Sequence, residues 1–218
     1  MKLKSINKFT LLLAIISLTS CSDSSLNEKV ENVSVQDTVI TDLQETAEEV
    51  NKNPNDPLLF VAMIAAKIGD DDFKGWIDFS ADEIFFSPYA HVDTNILLFL
   101  NSNNLSEIFS SENTYIWGVQ DGTGDSLKLT FEEYEERYIN DFELTETNSV
   151  EYSIVEEPKT HGNELHNIHT LYPEAILVEI HKSADDDMGM NWRSLIVVIQ
   201  KQNDELKLIG FVHNEWTI

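Results

Sequence analysis

The segment "WRSLIVVIQKQNDELKLIGFVHNEWTI", residues 192–218, constrains the fold more than any other stretch of the chain. It holds two apolar, β-branched runs that turn at Asn203-Asp204, the pattern of a long antiparallel hairpin. Two further strand signals precede it, "VEYSIVE" (150–156) and "AILVEIH" (175–181). The C-terminal half is therefore expected to be sheet.

The N-terminal part of the same region reads differently. Leu58 to Lys67 is strongly apolar helix material, followed by Gly69 and the acid run Asp70-Asp71-Asp72. "DDFKGWIDF" spaces Phe73, Trp76 and Ile77 for a second short helix. "IFFSPYAHVD" (84–93) reads as the first strand, Asn104 to Ser110 as one or two helical turns, and "TYIWGVQ" as a strand closed by the turn Asp121-Gly122-Thr123-Gly124. Thr130 with Glu133 makes a capping-box pattern, and Phe131, Tyr134 and Tyr138 share one side of the helix it starts. Helices first, then strands, a helix and more strands predict an α+β fold, a curved antiparallel sheet wrapped around N-terminal helices. Residues 58–218 are enough for one such domain with a real core, and no internal repeat is evident.

Ahead of it the chain carries an address. Lys2, Lys4 and Lys8 precede an apolar run from Phe9 to Leu18, too short to span a bilayer. The run stops at Leu18-Thr19-Ser20-Cys21, which resembles a bacterial lipobox, so residues 1–20 are expected to be a lipoprotein signal peptide and Cys21 the lipidated residue. Cys21 is the only cysteine, which leaves no thiol for a disulfide, a thiolate metal site or a nucleophile in the folded part. Ser rather than Asp follows it, and "CSDSS" is similar to the export signals of surface lipoproteins in the Bacteroidetes. The expected location is the bacterial cell envelope, as an outer-membrane lipoprotein with the periplasmic or the surface side open. Residues 21–57 read as a tether, polar, without an aromatic residue and ending in "NKNPNDP". A short helix over Asp42 to Val50 would suit "DLQETAEEV".

The formal net charge of −25, from 39 acids against 14 bases, argues against nucleic acid and against electrostatic attraction to an anionic membrane. Membrane contact is then expected through the lipid anchor alone. A small-molecule ligand, an envelope protein and a second copy of the chain stay open as partners, and no cofactor is expected.

The element order resembles that of the nuclear transport factor 2-like superfamily (cystatin-like, SnoaL-like), over about 160 residues and without a defining short motif. The resemblance implies a cone-shaped domain in which a curved sheet and helices enclose a pocket. More narrowly, "FSPYAHVD", "YIWGVQDGTGDSLKLTFEEY", "MNWRSLIVVIQ" and "GFVHNEWTI" are similar to an uncharacterised family of bacterial exported proteins. That resemblance implies no activity.

Alternation along the last strand places Leu206, Leu208, Gly210, Val212, Asn214, Trp216 and Ile218 on one face, the more apolar, and Lys207, Ile209, Phe211, His213, Glu215 and Thr217 on the other. On that count His213 and Glu215 face water or an edge. A sharper reading starts from the superfamily's pockets, which are often lined by one polar residue from each strand. Tyr89, His91 and Asp93 share a face of the first strand, Glu179 and His181 share another, and Arg193 adds a cation. His213 held by Asp93 or Glu215 is then the candidate catalytic base, and Arg193 a holder of carboxylate or phosphate. Tyr89, His91, Trp117, Arg193 and Trp216 are the candidate ligand contacts, although Trp117, Trp192 and Trp216 also suit core packing. His161, His166 and His169 in "HGNELHNIH" look like loop without a fourth ligand, and "DDDMG" lacks calcium-loop spacing, so no metal site is expected. Two functions follow. One is a non-catalytic ligand- or partner-binding module, marked by a cone filled with Trp117, Trp192 and Phe side chains. The other is a small isomerase or hydrolase, marked by an open pocket where His213, Asp93 and Arg193 converge.

Overall fold

A computed structural model describes residues 55–70, 73–146, 149–156, 158 and 166–216. These lie within one compact unit, Val35–Ile218. The leader, Cys21, the tether up to Pro54, His161 and the last two residues, Thr217 and Ile218, fall outside the described set. Among the described residues no helix is long and apolar enough to cross a membrane.

The fold is α+β, as the element order predicts. Helix α1 (Pro57–Gly69) starts where Asp56 accepts hydrogen bonds from the amides of Leu58 and Leu59, with Pro57 in the first turn. It buries Phe60, Val61, Ile64, Ala65 and Ile68 along one side. Helix α2 (Phe73–Ile77) adds Trp76 to the same core. Then come β1 (Ser80–Ser87), β2 (Leu98–Asn101), α3 (Ser102–Phe109), β3 (Tyr115–Val119) and β4 (Ser126–Leu129). Helix α4 (Phe131–Tyr138) opens on the complete capping box of Thr130 and Glu133. The chain closes with β5 (Val150–Val155), the short α5 (Ile168–Leu171), β6 (Ile176–Lys182), β7 (Arg193–Gln202) and β8 (Glu205–Glu215). Asn203 and Asp204, at φ 51° and 68°, turn β7 into β8 as the sequence predicts.

Six strands form one large curved sheet in the order β2-β1-β8-β7-β6-β5, and β3 and β4 form a separate hairpin. The sheet is mixed, not antiparallel throughout as expected, because β1 and β8 run parallel. These two strands are far apart in the sequence, so no tight turn dictates their direction.

Two features overturn the expected strand faces. First, β1 begins at Ser80 and ends at Ser87, since Pro88 has no amide to donate, so Tyr89, His91 and Asp93 leave the sheet on a loop. Second, the ladder between β7 and β8 shifts register between Val198 and Ile199, where Gly210 and then Leu208 pair and Ile209 is left over. This bulge reverses the alternation of β8. Leu206 and Leu208 on one side of it share a face with Phe211 on the other, and all three pack into the core under the helices. Ile209 and Val212 belong to a second core on the opposite face, with Phe85, Leu177, Ile196, Val198 and Ile168. His213 thus follows Phe211 onto the helix side, and the expectation that it faces water fails.

Candidate functional site

The reversed alternation gives His213 a buried environment on the helix-covered face. Its side chain has 0% exposure, and Nε2 lies 3.3 Å from Asp141 Oδ2. The ring stands edge-on to Tyr138, the last residue of α4, with centroids 5.4 Å apart. Asp141 lies just past that helix and is itself nearly buried. Arg193 and Glu215 are directly paired across β7 and β8. Arg193 Nε comes within 2.6 Å of Asp141 Oδ2, an ion contact whose N–H is poorly aligned for a hydrogen bond. Glu215 Oε1 takes Arg137 at 2.5 Å, and the Arg137 guanidinium also sits 5.1 Å above the Tyr138 ring. Burial works to lower the Arg137 pKa, but the hydrogen bond and charge of Glu215 outweigh it and hold the guanidinium charged. The result is a crossed pair of ion contacts that locks the end of α4 onto the end of the hairpin, with His213 between.

Asp141, His213 and Glu215 bring one ligand-type atom each within 4.8 Å of one another. The donor set suits a divalent cation, but both carboxylates already carry a guanidinium, so a metal there would compete with Arg193 and Arg137 for them. Asp93, the other expected partner of His213, is elsewhere: it is exposed and accepts both the backbone and side-chain N–H of Asn95 at 2.9 Å. The cluster therefore unites His213, Glu215 and Arg193 from the sequence-derived candidates and leaves Asp93 out. Sequence reasoning missed Asp141 and Arg137. Their signal was a pair of opposite charges four residues apart across the end of an amphipathic helix, complementary to Arg193 and Glu215.

The cavity lies at the other end of Tyr89. Its volume is about 220 Å³, and Tyr89, His91, Asp93, Trp117 and Asp121 contribute to its walls. Three of the five candidate ligand contacts thus meet in one place, brought there by a loop after Pro88 and not by strand alternation. The loop is pinned: Val92, buried between His91 and Asp93, donates its amide to Asn167 Oδ1 at 2.8 Å, and its carbonyl accepts from Asn167 Nδ2 at 2.9 Å. On the facing hairpin Gly118 lets Pro88 approach, since a Cβ there would lie 3.0 Å from the proline ring. Trp117 backs the cavity and offers it little surface: it is almost fully buried, its indole N–H goes to the Leu129 carbonyl at 3.0 Å and one face is stacked on Tyr134.

Tyr89 connects cavity and cluster. Its hydroxyl oxygen accepts the Asp121 amide at 3.2 Å, and its ring meets Tyr138 at 6.2 Å. Burial, then the charge of Tyr89 and a hydrogen bond to it, push the Tyr138 hydroxyl far above the ordinary tyrosine range. Tyr138 therefore stays protonated in the folded chain.

The remaining candidates separate. Glu179 and His181 are buried on the opposite sheet face, where His181 Nδ1 meets Ser194 Oγ at 2.8 Å and Trp192 packs 6.0 Å from the imidazole. Trp192 thus belongs to that face and does not fill the main core, which Trp117 and Phe86, Phe131 and Phe211 occupy. Trp216 is half-buried. His169 lies in α5, and the loop at Asp185–Gly189 is tied by Asp186 and Asn191 to its own backbone. No family model, curated protein or solved structure matches the chain.

Proposed function

We propose that this chain is a membrane-anchored bacterial lipoprotein whose nuclear transport factor 2-like domain binds a ligand without transforming it. The observation that carries the non-catalytic reading is the separation of the two parts of the site. The buried histidine has no exposed side-chain surface, and its carboxylate partner is already committed to Arg193. The cavity is walled by Tyr89, His91, Asp93 and Trp117 and does not include His213. A general base must reach the proton it removes, directly or through one water. A fully covered imidazole at the end of a crossed ion pair serves instead to hold helix and hairpin together. The order of helices and strands, with a large curved sheet, supports the superfamily assignment. The lipobox-like Leu18-Thr19-Ser20-Cys21 supports the anchor.

The test is a thermal-shift screen of small molecules on the full chain, on His213→Gln and on Val119→Trp. Val119 lies on the cavity wall and is exposed, so the added ring fills the cavity without entering the core. Compounds that raise the wild-type midpoint should still do so in His213→Gln and should fail in Val119→Trp. Turnover of any such compound that is lost in His213→Gln would overturn the reading in favour of an isomerase or hydrolase.

A further inference from the structure

We propose that the cavity beside Pro88 takes a small organic cation, a protonated amine on an apolar or single-ring body. This inference rests on the binding reading above and names the ligand class. At about 220 Å³ the cavity falls below the roughly 300 Å³ at which drug-sized pockets begin, so the occupant is metabolite-sized. Its walls carry the carboxylates of Asp93 and Asp121, and among the described residues that line it there is no Lys or Arg. Both acids are held in place: Asp93 Oδ1 accepts the two N–H groups of Asn95, and Asp121 Oδ1 accepts the Gly122 amide at 2.9 Å.

The same walls carry an aromatic ring and a hydroxyl. Tyr89 is fixed there by its hydroxyl oxygen, which accepts the Asp121 amide at 3.2 Å, and its ring forms part of the wall. Trp117, almost fully buried and with its N–H spent, backs the wall and brings no polar group to it. An anion entering here meets two fixed carboxylates in a chain of net charge −25, while an ammonium meets two partners and an aromatic wall. The Asn167 clamp on Val92 fixes the spacing of the loop residues on either side before any ligand arrives, which reduces the ordering cost of binding.

The experiment uses three probes that share a ring and chain length: phenethylamine, the matched alcohol and the matched carboxylate. Each is titrated by calorimetry into the full chain, and into Asp93→Asn and Asp121→Asn. Both acids are exposed, so neither substitution threatens folding. The amine should bind about tenfold more tightly than the alcohol, and the carboxylate should give no heat. Each substitution should cost the amine about threefold and leave the alcohol unchanged, as expected for partly solvated ion pairs. Equal binding of all three, or preference for the carboxylate, overturns the cation assignment and leaves the binding reading standing. Failure of all three overturns it as well. If the compound screen above is also blank, the binding reading falls with it.

Discussion

Asp141 faces two cationic or potentially cationic groups at once, Arg193 at 2.6 Å and His213 at 3.3 Å, and it does so nearly out of solvent. Removing its charge leaves a covered imidazole and a guanidinium that is only one-third exposed without their main partner. Breaking a fully buried pair costs about 3–5 kcal/mol, and the partial exposure of Arg193 moves the expectation for Asp141→Asn below that, to about 2 kcal/mol. Asp93→Asn should stay within about 0.5 kcal/mol, because that carboxylate is exposed and its contribution to the fold is confined to a local turn. Urea unfolding of the two variants side by side decides the matter, and a smaller loss for Asp141→Asn than for Asp93→Asn would refute the crossed-pair account. From the sequence, His213, Arg193 and Glu215 could be singled out by residue type. Their partner could not, because a carboxylate 72 positions upstream reaches the histidine only through the packing of α4 on the hairpin.

Strand β8 carries one small residue directly beside the bulge that reverses its alternation. Gly210 pairs with Phe85 on one side and with Val198 on the other. A Cβ at that position would sit 2.3 Å from the Phe85 ring, which is itself stacked on Tyr172 at 4.8 Å. The aromatic ring covers the glycine and fills the space a side chain would take. Gly210→Ala should therefore destabilise by about 1–3 kcal/mol, the usual cost of overpacking. Phe85→Leu in the same chain should recover part of it, since the smaller side chain leaves room for the methyl group. Thermal unfolding of the single and double variants gives the coupling, and strict additivity would mean that the ring and the glycine are independent. Period-2 alternation is legible in a sequence only while the ladder stays in register, so the long hairpin and its Asn203-Asp204 turn could be read while the bulge inside it could not. Strands β2 and β4 were missed for a related reason: four residues are too few to show a period. The capping box of α4 was readable because it is wholly local.

The core joins these parts into one cooperative unit, and its tyrosines offer a way to watch it open. Tyr134 and Tyr138 lie inside α4, and Tyr152 on β5 donates its hydroxyl to the Leu144 carbonyl at 2.8 Å. Burial raises all three above the ordinary value of about 10, with the neighbouring Tyr138 and Tyr89 charges adding to it for Tyr134 and the Glu143 charge for Tyr152. A folded pKa above the unfolded one means that the unfolded chain loses its protons first. The stability these groups contribute is complete below about pH 10 and is lost as pH rises toward their folded values. The charge balance pushes the same way, because lysines deprotonate near pH 10.4 and deepen a net charge that is already −25. Unfolding should therefore begin on the alkaline side and move to higher pH when added salt screens the repulsion. Tyrosinate absorbance and far-ultraviolet circular dichroism followed together give the check. Part of the absorbance should be withheld until the dichroism collapses, because Tyr134, Tyr138 and Tyr152 can ionise readily only once the helices leave the sheet. Full ionisation of all six tyrosines with the dichroism intact would show that these hydroxyls reach water in the folded protein, and that the helix-covered face is open where the structure has it closed.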